Sequence, residues 1–171
     1  MVITFPRQYT VGTPTPIPTS AATSAGPPPA AETNVAGTAT DTASSENPAD
    51  GQTAAKTVDG VVDGYPGDYT KEWATRGGIS GSWLQLSWPT PVTVNSAVLY
   101  DRPNTDDQVT AGTLSFSDGS TDAVPALDNA GAARTVTFAA RATTGVLFTA
   151  TSVSNSTINV GLAELQVRAL Q

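Results

Sequence analysis

The sequence predicts an all-β fold, a jelly-roll β-sandwich, on three observations. From Val35 onward, short runs of alternating apolar and polar residues are separated by clusters of Gly, Asp, Asn and Pro. No window of helical length carries a 3.6-residue apolar period, and at most one turn is expected near Ala54 to Val58. Ser117-Asp118-Gly119-Ser120 is a tight hairpin signal, because Asp-Gly accepts the positive φ such a turn needs. Short strands at regular spacing with turns of this kind build sandwiches rather than α/β folds.

Taken in chain order, Val2 to Val11 alternate and read as one lone strand. A lone strand is unstable in water, so residues 1–12 are expected to form an extended arm that adds to a sheet or groove on another chain. Thr10 to Ala31 carry no charge and are almost all Thr, Pro, Ala, Ser and Gly. Such a stretch buries too little apolar surface to offset its ordering entropy, so residues 13–32 are expected to be an extended tether. Residues 33–171 then form the globular domain, long enough for one hydrophobic core.

Within that domain Trp83 to Trp88 place Leu84, Leu86 and Trp88 on one face. Val92-Thr93-Val94 leads into Ala97-Val98-Leu99-Tyr100, apolar enough for the middle of a sheet. Thr113 to Phe116 run into the Asp-Gly turn, and Thr121 to Val124 follow it. Further strands are expected at Arg134 to Phe138, Gly145 to Thr151 and Leu162 to Arg168, the last with a clean period of two. Trp83 and Trp88, lying in strands, are expected in the core, and Trp73 is assigned there as well.

Composition narrows the function classes. The net charge is −7, and the eight basic residues form no cluster. Nucleic acid and anionic membranes need positive patches, so neither is an expected partner. No run of about 18 apolar residues exists to span a bilayer. With no Cys and no His, disulfides, thiolate metal sites, Ser-His-Asp triads and HExxH helices are all ruled out. No carboxylate pair is identifiable as a glycosidase pair from sequence, so the chain is expected not to be an enzyme. The leading residues lack a basic start and a cleavage site, so they do not read as a secretion signal. The expectation is a chain that leaves the cell another way, lysis included, or a piece of a longer exported protein.

Two regions carry candidate chemistry. The glycine-rich stretch after Ala55 holds Asp59, Asp63, Asp68 and Thr70, oxygen donors of the kind that a hard cation such as Ca²⁺ gathers six to eight at a time. Glu164 joins them as an acid in an otherwise apolar final strand, costly to bury unless paired or metal-bound. The alternative is that these acids only solvate a loop. Tyr65 and Tyr69 lie in that loop, where an aromatic has little reason to be buried and can serve as a sugar platform. The second region is Asp101 to Gln108, after the central apolar strand. Arg102 offers a fixed fork of donors, and Asn104, Asp107 and Gln108 match the donor and acceptor pattern of vicinal hydroxyls. Its alternative is a solvated turn shaped by Pro103 and Asn104. Arg76, beside Gly77-Gly78, is a weaker candidate.

Several pieces, in order, resemble the discoidin-like, coagulation-factor type C superfamily, the galactose-binding-like jelly roll. They are Asn34-Val35-Ala36, Ala43 to Asn47, Ala55 to Gly60, Glu72-Trp73, Gly81 to Leu86, Val98 to Arg102 and Gly161 to Val167. The chain is especially similar to the carbohydrate-binding modules attached to bacterial and fungal polysaccharide-active enzymes. The resemblance implies a structural Ca²⁺ site with Asp59, Thr70 and Glu164 as ligands and backbone carbonyls near Lys56, Thr70 and Ala163. A loop longer than the usual pattern leaves Asp63 and Asp68 competing for the remaining place. It also implies a non-catalytic domain that binds a glycan at the sandwich rim.

With the arm and tether added, the expected protein is a glycan-adhesion module on a bacteriophage virion, an accessory, decoration or minor tail protein for host attachment. Its arm would be anchored to a capsid or tail protein. A carbohydrate-binding module of a secreted polysaccharide-active enzyme and a purely structural capsid decoration protein are the alternatives.

Overall fold

The computed structural model describes residues 31–171. The expected arm, 1–12, and all but the end of the expected tether, 13–32, lie outside the described residues. Nine strands follow: β1 (Glu32–Asn34), β2 (Thr40–Ala43), β3 (Trp73–Ala74), β4 (Trp83–Tyr100), β5 (Val109–Phe116), β6 (Thr121–Val124), β7 (Arg134–Val153), β8 (Gly161–Leu162) and β9 (Glu164–Leu170). Helical structure among them is limited to short 3₁₀ turns, one of them at Ala54–Val58 where a single turn was expected. None is long and apolar enough to cross a membrane.

The hydrogen-bonded order is β1-β9-β4-β7-β5-β6, with β2 also on β4 and a separate β3-β8 pair, all antiparallel. β4 and β7, at 18 and 20 residues, are each continuous where the sequence suggested two shorter strands. The reason lies in the stretch Trp88-Pro89-Thr90-Pro91, whose prolines have no amide to donate and fall where the β4–β7 register breaks, between Ser87 and Val92. The strand bends there without ending. Its first half pairs with β2 and the last part of β7, while its second half pairs with β9 and the first part of β7. One pair of bent strands thus serves both layers of the sandwich.

The period of two along each strand fills the space between the layers. Leu84, Leu86, Leu114, Val146, Phe148 and Ala150 come from one, Ala97, Leu99, Leu165 and Val167 from the other, all buried. Trp73 is fully buried and donates its indole N–H to the Ser45 carbonyl at 2.9 Å. Trp88 is buried too, with its N–H between the Val35 carbonyl and Thr38 Oγ1. Trp83 departs from the expectation. The alternation that buries Leu84 and Leu86 turns it to the outer face, where it is half-buried.

The Asp118-Gly119 turn joins β5 to β6, with Gly119 at φ 83° and Asp118 Oδ1 accepting the Ser120 amide. β4 ends at Tyr100, opposite Glu164 at the start of β9. Trp73 of β3 pairs with Leu162 of β8 just before it. These registers gather the loops 59–72, 101–108 and 154–160 at one end of the sandwich.

Candidate functional site

The rim is built on a buried ionic network. Glu72, the residue before β3, is fully buried, and Arg102, two residues past β4, is 5% exposed. Arg102 donates through Nε to Glu72 Oε1 at 2.8 Å, and its Nη2 lies 2.7 Å from the same oxygen. Its Nη1 donates to Asp107 Oδ2 and to the Asn159 carbonyl, at 2.9 and 3.1 Å. Glu72 also accepts the Gln52 side-chain amide and the Tyr65 backbone N–H, at 2.8 and 3.0 Å. Burial raises the Glu72 pKa above the ordinary carboxylate range, against the pull of Arg102. Asp107 is as fully engaged: Asn104 Nδ2 shares its Oδ2, and the amides of Ile158 and Asn159 donate to its Oδ1. Behind it, buried Asp101 accepts the amides of Arg102 and Val109, and burial raises its pKa to about 7. Three loops far apart in the chain are thereby locked together by carboxylates that accept backbone N–H groups.

Over this network lies an open cleft of about 360 Å³. Tyr65 and Ile158, 51% and 67% exposed, are its apolar members. Asn104, Asp106, Ser156 and Asn159 supply hydrogen-bonding groups between them, with Arg102 and Asp107 at the back. Of the six ligand residues read from the sequence, the structure brings Tyr65, Arg102, Asn104 and Asp107 together here. Arg102 and Asp107 contribute mainly as scaffold, since their donors and acceptors are largely committed within the protein. Tyr69 is 47% exposed but outside the lining. Gln108 is turned away, donating its side-chain amide to the Leu127 carbonyl at 2.9 Å. Arg76 is exposed and also outside the lining. Ile158, Ser156 and Glu72 were not found by sequence reasoning as site residues. An isolated Ile in the polar run Ser154 to Asn159 was the available signal for the first two.

The five cation-ligand candidates divide into two groups. Glu164 is fully buried, and neither carboxylate oxygen has a hydrogen-bond partner. Burial, with the charge of Asp59 adding to it, pushes its pKa up to about 7. The Gly60 amide and Gln166 lie near enough to offset part of that rise, though neither makes a bond of normal geometry. Asp59 itself accepts the Val61 amide and stands 3.8 Å from Lys56 Nζ. In the second group, Asp63 Oδ1 accepts the amides of Gly64 and Asp68. Asp68 accepts both the amide and the hydroxyl of Thr70, which hold its pKa below the usual value. Among the described residues no three acids converge as a metal cluster. The orphaned Glu164 carboxylate near a second acid nonetheless fits a hard cation, because a carboxylate buried without donors either holds a proton or needs a counter-charge.

Solved structures place the fold. The family 32 carbohydrate-binding module of Clostridium perfringens NanJ, in complex with galactose, is 20% identical over 81% of this chain and 99% of its own, with a TM-score of 0.63. The lectin binding domain of lectinolysin, a His 62 mutant complexed with Lewis b, is 22% identical over 82% of this chain and 98% of its own, with a TM-score of 0.63. A truncated AlyQ holding a family 32 module and an alginate lyase domain is 16% identical and matches 83% of this chain but 34% of its own, with a TM-score of 0.59. At these identities the likeness shows the jelly-roll fold expected from the sequence. No curated protein matches the chain in sequence. Residues 34–168, nearly the whole sandwich, match the family described as domain of unknown function DUF7402, and the chain belongs to that family.

Proposed function

We propose that the domain is a non-catalytic carbohydrate-binding module that takes a cell-surface glycan in the rim cleft. The observation that carries this reading is the pairing of an exposed Tyr65 and an exposed Ile158 around polar groups on a rigid ionic base. A pyranose has a face of C–H groups that packs on such side chains and an edge of hydroxyls that needs fixed donors and acceptors. The sugar-bound state of two of the solved structures of this fold supports the same reading. The test is a glycan array with the full-length chain, followed by titration of the best glycan. Tyr65→Ala and Ile158→Ala should each weaken binding about tenfold, as expected for loss of about 1–2 kcal/mol of apolar contact. An array without a hit, or variants that bind as well as the parent, would refute it.

Calcium is the proposed structural ion, held by Glu164 and Asp59 with nearby backbone carbonyls, while Asp63, Asp68 and Thr70 shape the adjoining loop. When bound, the ion supplies the counter-charge that Glu164 lacks. Added CaCl₂ should raise the melting temperature of the wild type and leave Glu164→Gln unmoved; equal effects on both would refute the assignment.

Display on a phage virion is the proposed setting, supported by the alternating arm and the Pro/Thr tether read from the sequence. Weak single-site affinity would then be multiplied by copy number. Deleting residues 1–12 should abolish co-purification with particles. The arrangement in AlyQ favours a second reading, a module attached to a polysaccharide-active enzyme, and unchanged particle occupancy after that deletion would support it. A glycan array with no hit would leave the third reading, a capsid decoration protein.

A further inference from the structure

A second cavity, of about 440 Å³, lies away from the rim, on the face formed by β4, β7 and β5. Its floor is set by strand register. Gln85 stands opposite Leu147, which stands opposite Ser115, and the next row pairs Ser87 with Gly145. Ser117 and Thr144 close one end. Three strands about 4.8 Å apart make a floor roughly 10 Å across.

Two features mark this as more than a solvated sheet face. The first is Gly145. Its φ is not in the left-handed region, and a Cβ there would meet only the Leu86 carbonyl, at 3.4 Å, an ordinary contact. Neither backbone conformation nor packing requires glycine in this strand, where it weakens β structure. Its effect is to leave the middle of the floor open. The second is chemistry. The lining around that floor holds hydroxyls, one carboxamide and the half-buried Leu147, with no ionisable side chain, although the chain carries a net charge of −7. An uncharged lining of hydroxyl and amide groups around an apolar strip suits an uncharged, hydroxyl-rich ligand and gives an anion nothing to pair with.

We infer that this groove is a second carbohydrate site, taking a neutral oligosaccharide across the strands through Gln85, Ser87, Ser115, Ser117 and the Leu147 side chain. It extends the glycan-binding reading to a separate place on the molecule, independent of the rim cleft. Gln85 Nε2 is already directed along the floor, donating to Ser87 Oγ at 3.1 Å. Ser117 Oγ is held by the Thr144 amide at 2.9 Å, so its position is fixed before any ligand arrives.

The test is amide and side-chain NMR shift mapping of the full-length chain with galactose, cellohexaose, laminarihexaose, chitohexaose and xylohexaose. At least one hexasaccharide should move Gln85, Ser115, Gly145 and Leu147 saturably. Gly145→Thr, a β-branched residue suited to a strand, should weaken that titration about tenfold while leaving shifts at Asn104 and Ile158 as in the wild type. Tyr65→Ala should do the reverse. Unperturbed signals of Leu84 and Phe148 would report an intact core in either variant. Groove signals unmoved by all four hexasaccharides, or moved equally in Gly145→Thr, would overturn the inference. Groove signals that follow protein concentration rather than sugar would identify a second copy as the occupant and overturn it too. Because the rim signals are read in the same spectra, wild-type rim signals unmoved by every sugar while the groove signals move would refute the rim proposal alone.

Discussion

Replacing Arg102 by Met tests whether the rim network is the scaffold described above. The substitution keeps much of the side-chain length and removes the charge. In the structure it takes away both N–H contacts to Glu72 Oε1, at 2.8 and 2.7 Å, and the one to Asp107 Oδ2 at 2.9 Å. Two carboxylates, 0% and 4% exposed, are then left without their cation. Breaking a buried pair by removing one partner costs about 3–5 kcal/mol, because an uncompensated charge stays behind. That is a large share of the stability of a domain of this size.

The loss carries a pH signature. The Glu72 pKa in the fold is already above its ordinary 4.5 through burial, with Arg102 the main opposing influence. Without Arg102 it rises further. A carboxylate whose folded pKa exceeds its unfolded one binds protons in the fold, so its stability contribution is greatest at acid pH and declines as pH rises through that window. The deficit of Arg102→Met should therefore be smaller at pH 5.5 than at pH 8. Urea unfolding followed by tryptophan fluorescence measures both. Glu72→Gln in the Arg102→Met background should recover at least about 1 kcal/mol at pH 8, the coupling a double-mutant cycle isolates. A loss below about 1 kcal/mol at pH 8, or equal losses at the two pH values, would refute the scaffold role. It follows that lost sugar binding in an Arg102 variant is no evidence that Arg102 touches sugar.

Three further outcomes follow from the same geometry. Gly64→Ala drives a methyl group into the Glu72 carboxylate and against Pro103, so thermal unfolding should show a loss of about 1–3 kcal/mol together with weaker rim binding, since Tyr65 is held by the same carboxylate. Asp101→Asn places an NH₂ opposite one of the two amides that Asp101 accepts and should cost about 1–3 kcal/mol. It should also flatten the fall in stability that the wild type shows as pH rises from the ordinary 3.8 towards about 7. Trp88→Ala should cost about 3–5 kcal/mol as a core truncation with two lost N–H contacts, whereas half-buried Trp83→Ala should cost clearly less in the same denaturation assay, which identical losses would contradict.

What could be read before the structure was whatever a short window contains. The alternation of Leu84, Leu86 and Trp88, the Asp118-Gly119 turn and the period of two in β9 are local patterns, and each gave the right element. The same rule applied once more would have turned Trp83 outward; counting tryptophans as core material obscured it. The bend of β4 was legible in Pro89 and Pro91 only as an interruption, because the pairing that carries the strand through it comes from β7, some fifty residues away.

The sites show the same division more sharply. Arg102, Asn104 and Asp107 were found because they lie within one loop. Their roles were not, since a side chain is free to bind a ligand only if the fold leaves its donors unused, and the partners that engage them come from Glu72, Ile158 and Asn159. Glu164 is the converse case. Its isolation in an apolar strand was visible in the sequence, and the structure returns it with both oxygens unmatched. The sheet groove had no local trace at all. Gln85, Ser115 and Gly145 become neighbours only through the β4–β7–β5 register, and a glycine in a strand announces itself only once the space beside it is known. A ligand site made by register is therefore invisible to motif reading, and Gly145→Thr, which fills that space in a strand that tolerates a β-branched residue, is the substitution that tells a groove from a gap.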